Sequence, residues 1–129
     1  MTDVANDPVV SDAPLSLDLE VIARLRELGG DEDPGLFDEL VLTFADDSPA
    51  RVAAIGAAVA AGDAQALHNA AHGLKSSAAS MGAMLLSATC RTLEKLGRDG
   101  NVDGARELAS SVPELYEGAL NSLQREVGC

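Results

Sequence analysis

Apolar residues recur every three or four positions along most of the chain, and glycines interrupt the pattern where helix ends would fall. Leu67, Ala70, Ala71, Leu74, Ala78 and Met81 form one such stripe, close to a 3-4-3-4 seam. That period buries one face of a helix, whereas a half-buried strand would alternate at every second residue. Composition points the same way. Hydrophobic residues make up 47% of the chain and aromatic residues 2%: Phe37, Phe44 and Tyr116, with no Trp. Alanine and leucine supply the apolar mass; both are strong helix formers, and the residues that strands prefer are scarce. The expected fold class is all-α.

Residues 1–16 are polar, contain Pro8 and Pro14 and lack periodicity, so they read as a disordered tail or linker. A short helix is expected over about Leu17 to Leu28, with Leu17, Val21, Leu25 and Leu28 inward and Gly29-Gly30 as its stop. Asp33-Pro34 reads as the N-cap and first residue of the next helix, whose stripe is Phe37, Leu40, Val41 and Phe44. Ser48-Pro49 either kinks that helix or starts a new one, and Val52, Ile55, Ala58 and Val59 carry the stripe to Gly62. Asp63 caps a helix running to about Ser80, and Gly82 marks a tight turn. The returning helix, about Ala83 to Leu96, buries Leu86, Cys90 and Leu93, and Gly97 to Gly100 is a turn. The last stretch, Val102 to Val127, carries Ala105, Leu108, Val112, Leu115, Ala119 and Leu123, kinked or divided at Pro113. Short loops between long amphipathic helices make antiparallel neighbours. Residues 17–127 are therefore expected to form an up-and-down antiparallel four-helix bundle with an additional short N-terminal helix. A chain of 129 residues is one domain's worth, large enough to bury a core without staples.

The net charge of −12 argues against nucleic acid, whose binders need a basic face, and against docking on anionic membranes. The shortage of aromatics removes any stacking platform for single strands. Cys90 and Cys129 make neither a disulfide framework nor a four-ligand zinc pattern. The start has no basic or apolar signal region, and no run approaches the roughly 18 apolar residues of a membrane span. The expected location is the cytoplasm. The charge is unevenly spread, however. Residues 1–50 hold thirteen acids and two arginines, whereas residues 64–98 hold Lys75, Arg91, Lys95 and Arg98 against Glu94 alone. One hairpin of an acidic chain is locally basic, and any anionic group the protein handles should sit there.

Both histidines, His68 and His72, lie in that hairpin. At about 100° per residue, His72 points roughly 160° from the inward stripe and His68 roughly 120°, so neither belongs to the core. Gly73, Ser76 and Ala79 surround His72 with small side chains, and Lys75 lies one turn along. Antiparallel return of the next helix is expected to bring Arg91 and Lys95 level with the two imidazoles. Three readings stand. His72 can be a solvated surface residue. His68-Asn69-Ala70-Ala71-His72 has the outline of the HExxH zinc motif, but Asn69 replaces the general-base glutamate, there is no third histidine, and Lys75 disfavours a cation. The expected metal complement is none. Third, a neutral imidazole, whose ordinary pKa is about 6.5, can accept a phosphoryl group, with Lys75 stabilising the added charge.

The segment Ala71-His72-Gly73-Leu74-Lys75-Ser76-Ser77-Ala78-Ala79-Ser80-Met81-Gly82 resembles the signature of histidine-containing phosphotransfer (HPt) domains. The family pattern is an A-H-x-L-K-[GS]-S stretch, a glycine ten residues past the histidine, and a C-x-x-L-E run, here Cys90-Arg91-Thr92-Leu93-Glu94. The resemblance covers about residues 17–126. It implies that His72 is the phosphorylated histidine, that Lys75 supports the phosphoryl group and that Ser76, where many members have glycine, is the small residue admitting the partner. Gly82 matches the hairpin's turn glycine, and His68, Gly73, Ala79, Arg91 and Lys95 are the expected docking residues around the site. It further implies a relay between receiver-domain aspartates, with response-regulator receivers and a hybrid sensor histidine kinase as partners of a monomer. The chain would carry no cofactor of its own, Mg²⁺ being expected on the receiver. No P-loop or kinase-like glycine loop is present, so no autonomous kinase activity is expected. The alternative is a helical interaction module that binds a partner without phosphotransfer.

Overall fold

A computed structural model describes residues 17–127; the tail expected at 1–16 and the terminal Cys129 fall outside them. Six helices follow in order: α1 (Leu19–Gly29), α2 (Leu36–Ala61), α3 (Ala64–Ser80), α4 (Met84–Arg98), α5 (Val102–Ser110) and α6 (Val112–Glu126). The chain breaks for a single residue, Ser111, between α5 and α6, with Pro113 at the start of α6 where its missing N–H costs no helical bond. Taken together, α5 and α6 are the fourth rod of a bundle. α2 packs against α3 and against α5 and α6, and α4 closes the other side in the same way. The fold is the expected all-helical bundle, with α1 as the additional short helix.

Local chemistry explains most of the boundaries. Asp63 caps α3 by accepting from the Ala66 N–H at 3.0 Å, and Asn101 caps α5 by accepting from Gly104 at 2.9 Å. Gly62, Gly82 and Gly100 turn the chain with positive φ. The Gly82 turn also anchors α1, because the Asp18 N–H donates to the Gly82 carbonyl at 2.8 Å.

Three sequence expectations need correcting. α2 starts at Leu36 with Gly35 at its N-cap, and Asp33 and Pro34 belong to the preceding turn. Pro49 does not start a new helix: α2 runs through it for 26 residues, giving up the bond that a non-proline N–H would make to the Ala45 carbonyl. In α1 the buried hydrophobic side chain is Ile22, while Leu28 is exposed.

The core runs the length of the bundle: Phe37, Val41, Phe44, Ile55 and Ala58 from α2, Leu67, Ala71, Leu74 and Ala78 from α3, and Leu86, Cys90 and Leu93 from α4. Val112, Tyr116, Ala119 and Leu123 of α6 complete it. Tyr116 packs on Phe44 with ring centroids 5.4 Å apart. Burial pushes the Cys90 thiol up to about 12, which leaves it a neutral packing group. Arg26 of α1 donates to the Glu126 carbonyl at 2.6 Å, fastening α1 to the end of α6. Among the described residues no helix is long and apolar enough to cross a membrane.

Candidate functional site

α3 and α4 approach so closely at one end that the geometry of the site is set by backbone. A Cβ added to Gly97 would lie 2.7 Å from the His68 nitrogen and 2.9 Å from the Ala64 carbonyl oxygen. Gly97 is therefore a buried helical residue of α4 packed on the first turns of α3, not part of the turn that its sequence context suggests. Further along the hairpin, Ser87 Oγ donates to the Lys75 carbonyl at 3.2 Å. These two contacts fix the register of α4 against α3.

That register places Glu94, a residue the sequence reading did not single out as functional, against the outward face of α3. One carboxylate oxygen of Glu94 lies 2.8 Å from His72 Nδ1 and the other 2.5 Å from Lys75 Nζ. His68 Nε2 stands 3.7 Å from the His72-facing oxygen. The Lys75 hydrogen bond, opposed by partial burial and assisted by His72, holds the Glu94 carboxyl below its ordinary value of 4.5. An ionised carboxylate accepts only, so the hydrogen at the His72–Glu94 contact belongs to Nδ1. The lone pair of the neutral imidazole is then on Nε2, the nitrogen away from Glu94.

His72 is the open member of this cluster: its side chain is 59% exposed, against 26% for Lys75 and 14% for Glu94. His68 stacks beside it with ring centroids 6.4 Å apart and planes 12° from parallel, and its Nδ1 meets the side-chain Oδ1 of Asn69 at 3.2 Å. Ser76 is exposed and Ala79 half-buried on the same helix. Gly73 is half-buried for a reason the sequence hid: the Arg51 side chain of α2 lies across it. Arg91 and Lys95 are exposed on α4. The group that α4 turns toward His72 is the acid between them in sequence. Gly82 stands at the far end of the hairpin, ten residues from His72, where it makes the turn and holds the start of α1. Among the described residues, no cluster of three or more His, Cys, Asp or Glu is arranged to hold a metal ion.

The signal for Glu94 was present but incomplete. It lies one position after Leu93 of the Leu86, Cys90, Leu93 stripe, at the edge of the buried face. Helical period alone does not say which turn of α3 it meets.

Comparison with known proteins yields two matches. A family model described as "Hpt domain" matches residues 39–126. The crystal structure of histidine-containing phosphotransfer protein B (HptB) from Pseudomonas aeruginosa PAO1 is similar, with 37% sequence identity and a TM-score of 0.72. That match covers 85% of this chain and 92% of the other. No curated protein sequence matches significantly.

Proposed function

The chain belongs to the Hpt domain family, whose function is histidine phosphotransfer in two-component phosphorelays, and on that premise we propose that His72 is the residue that carries the phosphoryl group. The observation behind this assignment is the Glu94–His72 contact, which puts the proton on Nδ1 and leaves the nucleophilic lone pair on the exposed Nε2. In the forward step the Nε2 lone pair attacks the phosphorus of a receiver's aspartyl phosphate. The N–P bond forms, the P–O bond to aspartate breaks, and the aspartate carboxylate leaves with the bonding pair. The ring gains positive character while keeping its Nδ1 proton, and the Glu94 carboxylate at 2.8 Å offsets that charge. The reverse sequence delivers the group to a second aspartate.

Lys75 begins as the ion-pair partner of Glu94. As the phosphoryl group arrives, its ammonium, one helical turn from His72, turns toward the phosphoryl oxygens. Transfer of this kind is mostly positioning and charge stabilisation, and side chains already held in place serve both. Mg²⁺ belongs to the receiver in this reading. Ser76 and Ala79 leave room for the receiver, with His68, Gly73, Arg91 and Lys95 around them on the docking face. The protein acts as a cytoplasmic monomer that meets response-regulator receiver domains and a hybrid sensor histidine kinase.

The test is labelling from a phosphorylated receiver domain. Wild type and His68→Gln are expected to acquire the label and His72→Gln to acquire none. Label retained by His72→Gln, or lost specifically in His68→Gln, moves the site elsewhere.

A further inference from the structure

The buried seam of α2 runs Phe37, Val41, Phe44, Ser48, then Ile55, at intervals of three and four. Between Ser48 and Ile55 the seam is carried by Val52, which packs against the core, and Arg51 is its immediate neighbour. Arg51 is half-buried against α3. A Cβ at Gly73 would stand 2.8 Å from its Nε, 3.2 Å from Cδ and 3.7 Å from Cζ. Its guanidinium end therefore rests on the backbone of the residue next to His72, in space that any other side chain at 73 would fill.

Nothing in the described molecule neutralises this charge. The chain holds 21 acidic residues against nine lysines and arginines, and Asp47 lies four residues before Arg51, a spacing that pairs readily on a helix. Yet no ion pair or hydrogen bond joins Arg51 to Asp47 or to any other described residue. At about 100° per residue, Gly73 sits roughly 100° round α3 from His72 toward α2, and Lys75 roughly 60° round toward α4. Arg51 and Lys75 thus flank the imidazole from opposite sides. They differ in one respect: Glu94 already engages Lys75, and the five donors of Arg51 are uncommitted.

We propose that Arg51 is a specificity residue that recognises the phosphorylated receiver as it docks, binding the anionic phosphoryl oxygens of the aspartyl phosphate from the α2 side of His72. This rests on the reading of His72 as the phosphoryl acceptor. A planar guanidinium fork suits phosphoryl oxygens, and an uncommitted cation offsets the repulsion between an anionic donor and a chain of net charge −12. Its contribution is to encounter and affinity, so it acts before the N–P bond forms.

The experiment measures single-turnover transfer from a phosphorylated receiver domain that labels the wild type, over a range of receiver concentrations. Arg51→Ala is expected to raise the receiver concentration for half-maximal rate about tenfold, with the saturated rate reduced less than threefold. Arg51→Lys is expected to recover part of the loss, and the lifetime of the isolated phosphoprotein is expected to stay as in wild type. An unchanged half-maximal concentration in folded Arg51→Ala overturns the proposal. So does a loss confined to the saturated rate, or a shortened phosphoprotein lifetime. His72→Gln run alongside separates the two claims: label in that variant defeats the acceptor assignment, whereas an unaffected Arg51→Ala with unlabelled His72→Gln defeats only the role of Arg51.

Discussion

With one oxygen on His72 and the other on Lys75, the carboxylate of Glu94 links the proposed nucleophile to a cation. Glu94→Ala removes the acceptor that holds the Nδ1 proton, and it is expected to slow transfer about tenfold or more, since a hydrogen bond to a charged group contributes roughly 1.5–3 kcal/mol. Glu94→Gln keeps a carbonyl oxygen for Nδ1 and is expected to retain most of the rate; single-turnover kinetics on both variants checks the pair. Equal rates for wild type and Glu94→Ala contradict the positioning role. Stability carries a separate signature. The folded-state value of Glu94 is depressed, so its contribution is fully present above the ordinary 4.5 and is lost as pH falls through the depressed value. The difference in unfolding free energy between wild type and Glu94→Gln is expected to be flat above about pH 5 and to shrink below it. His72, Lys75 and Ser76 were legible in sequence because they share one helix, where period and spacing place them. Glu94 and Arg51 reach the site from two other helices, and their arrival depends on register between elements, which the periodicity of each helix leaves open.

Between α3 and α4, register is a matter of backbone contact at Gly97. Gly97→Ala puts a methyl group 2.7 to 3.0 Å from the His68 nitrogen and Cα and the Ala64 carbonyl oxygen, atoms that cannot step aside as a flexible side chain would. Overpacking of this kind typically costs about 1–3 kcal/mol. Denaturant unfolding is expected to show that loss, and transfer should slow because α4 carries Glu94. Gly118→Ala in α6 is the control: nothing lies within 4 Å of the added carbon, so a neutral or slightly stabilising change is expected. Equal stability of Gly97→Ala and wild type contradicts the close-packing account. Glycine near a helix end signals either a cap or a close approach, which is why Gly97 reads as a turn in sequence. Its spacing from Leu86, Cys90 and Leu93 continues the 4-3-4 seam and was the discriminating clue. Pro49 misleads in the complementary way: a helix breaker by local rule, it survives inside α2 because the flanking seam is buried against the bundle.

Across the whole molecule the net charge of −12 conceals two arrangements that matter more than the sum. The hairpin is basic in total, yet the charge that α4 presents to His72 is its single acid, already matched to Lys75. The cation without an internal partner beside His72 comes instead from α2, just past the acidic first fifty residues. The all-helical class, the bundle topology and the histidine-bearing face followed from period and composition, because each is a property of one segment or of short connections, whereas the helix count stayed open at Pro49 and Pro113. The electrostatics of the site did not, because it is assembled from three helices. The central claim is that this assembly leaves Nε2 of His72 as the nucleophile. Nitrogen-15 NMR of the phosphorylated protein tests it most directly. The expected result is a phosphorus coupled to Nε2 of His72 with a proton retained on Nδ1, and phosphate found on His72 Nδ1 or on His68 contradicts the account.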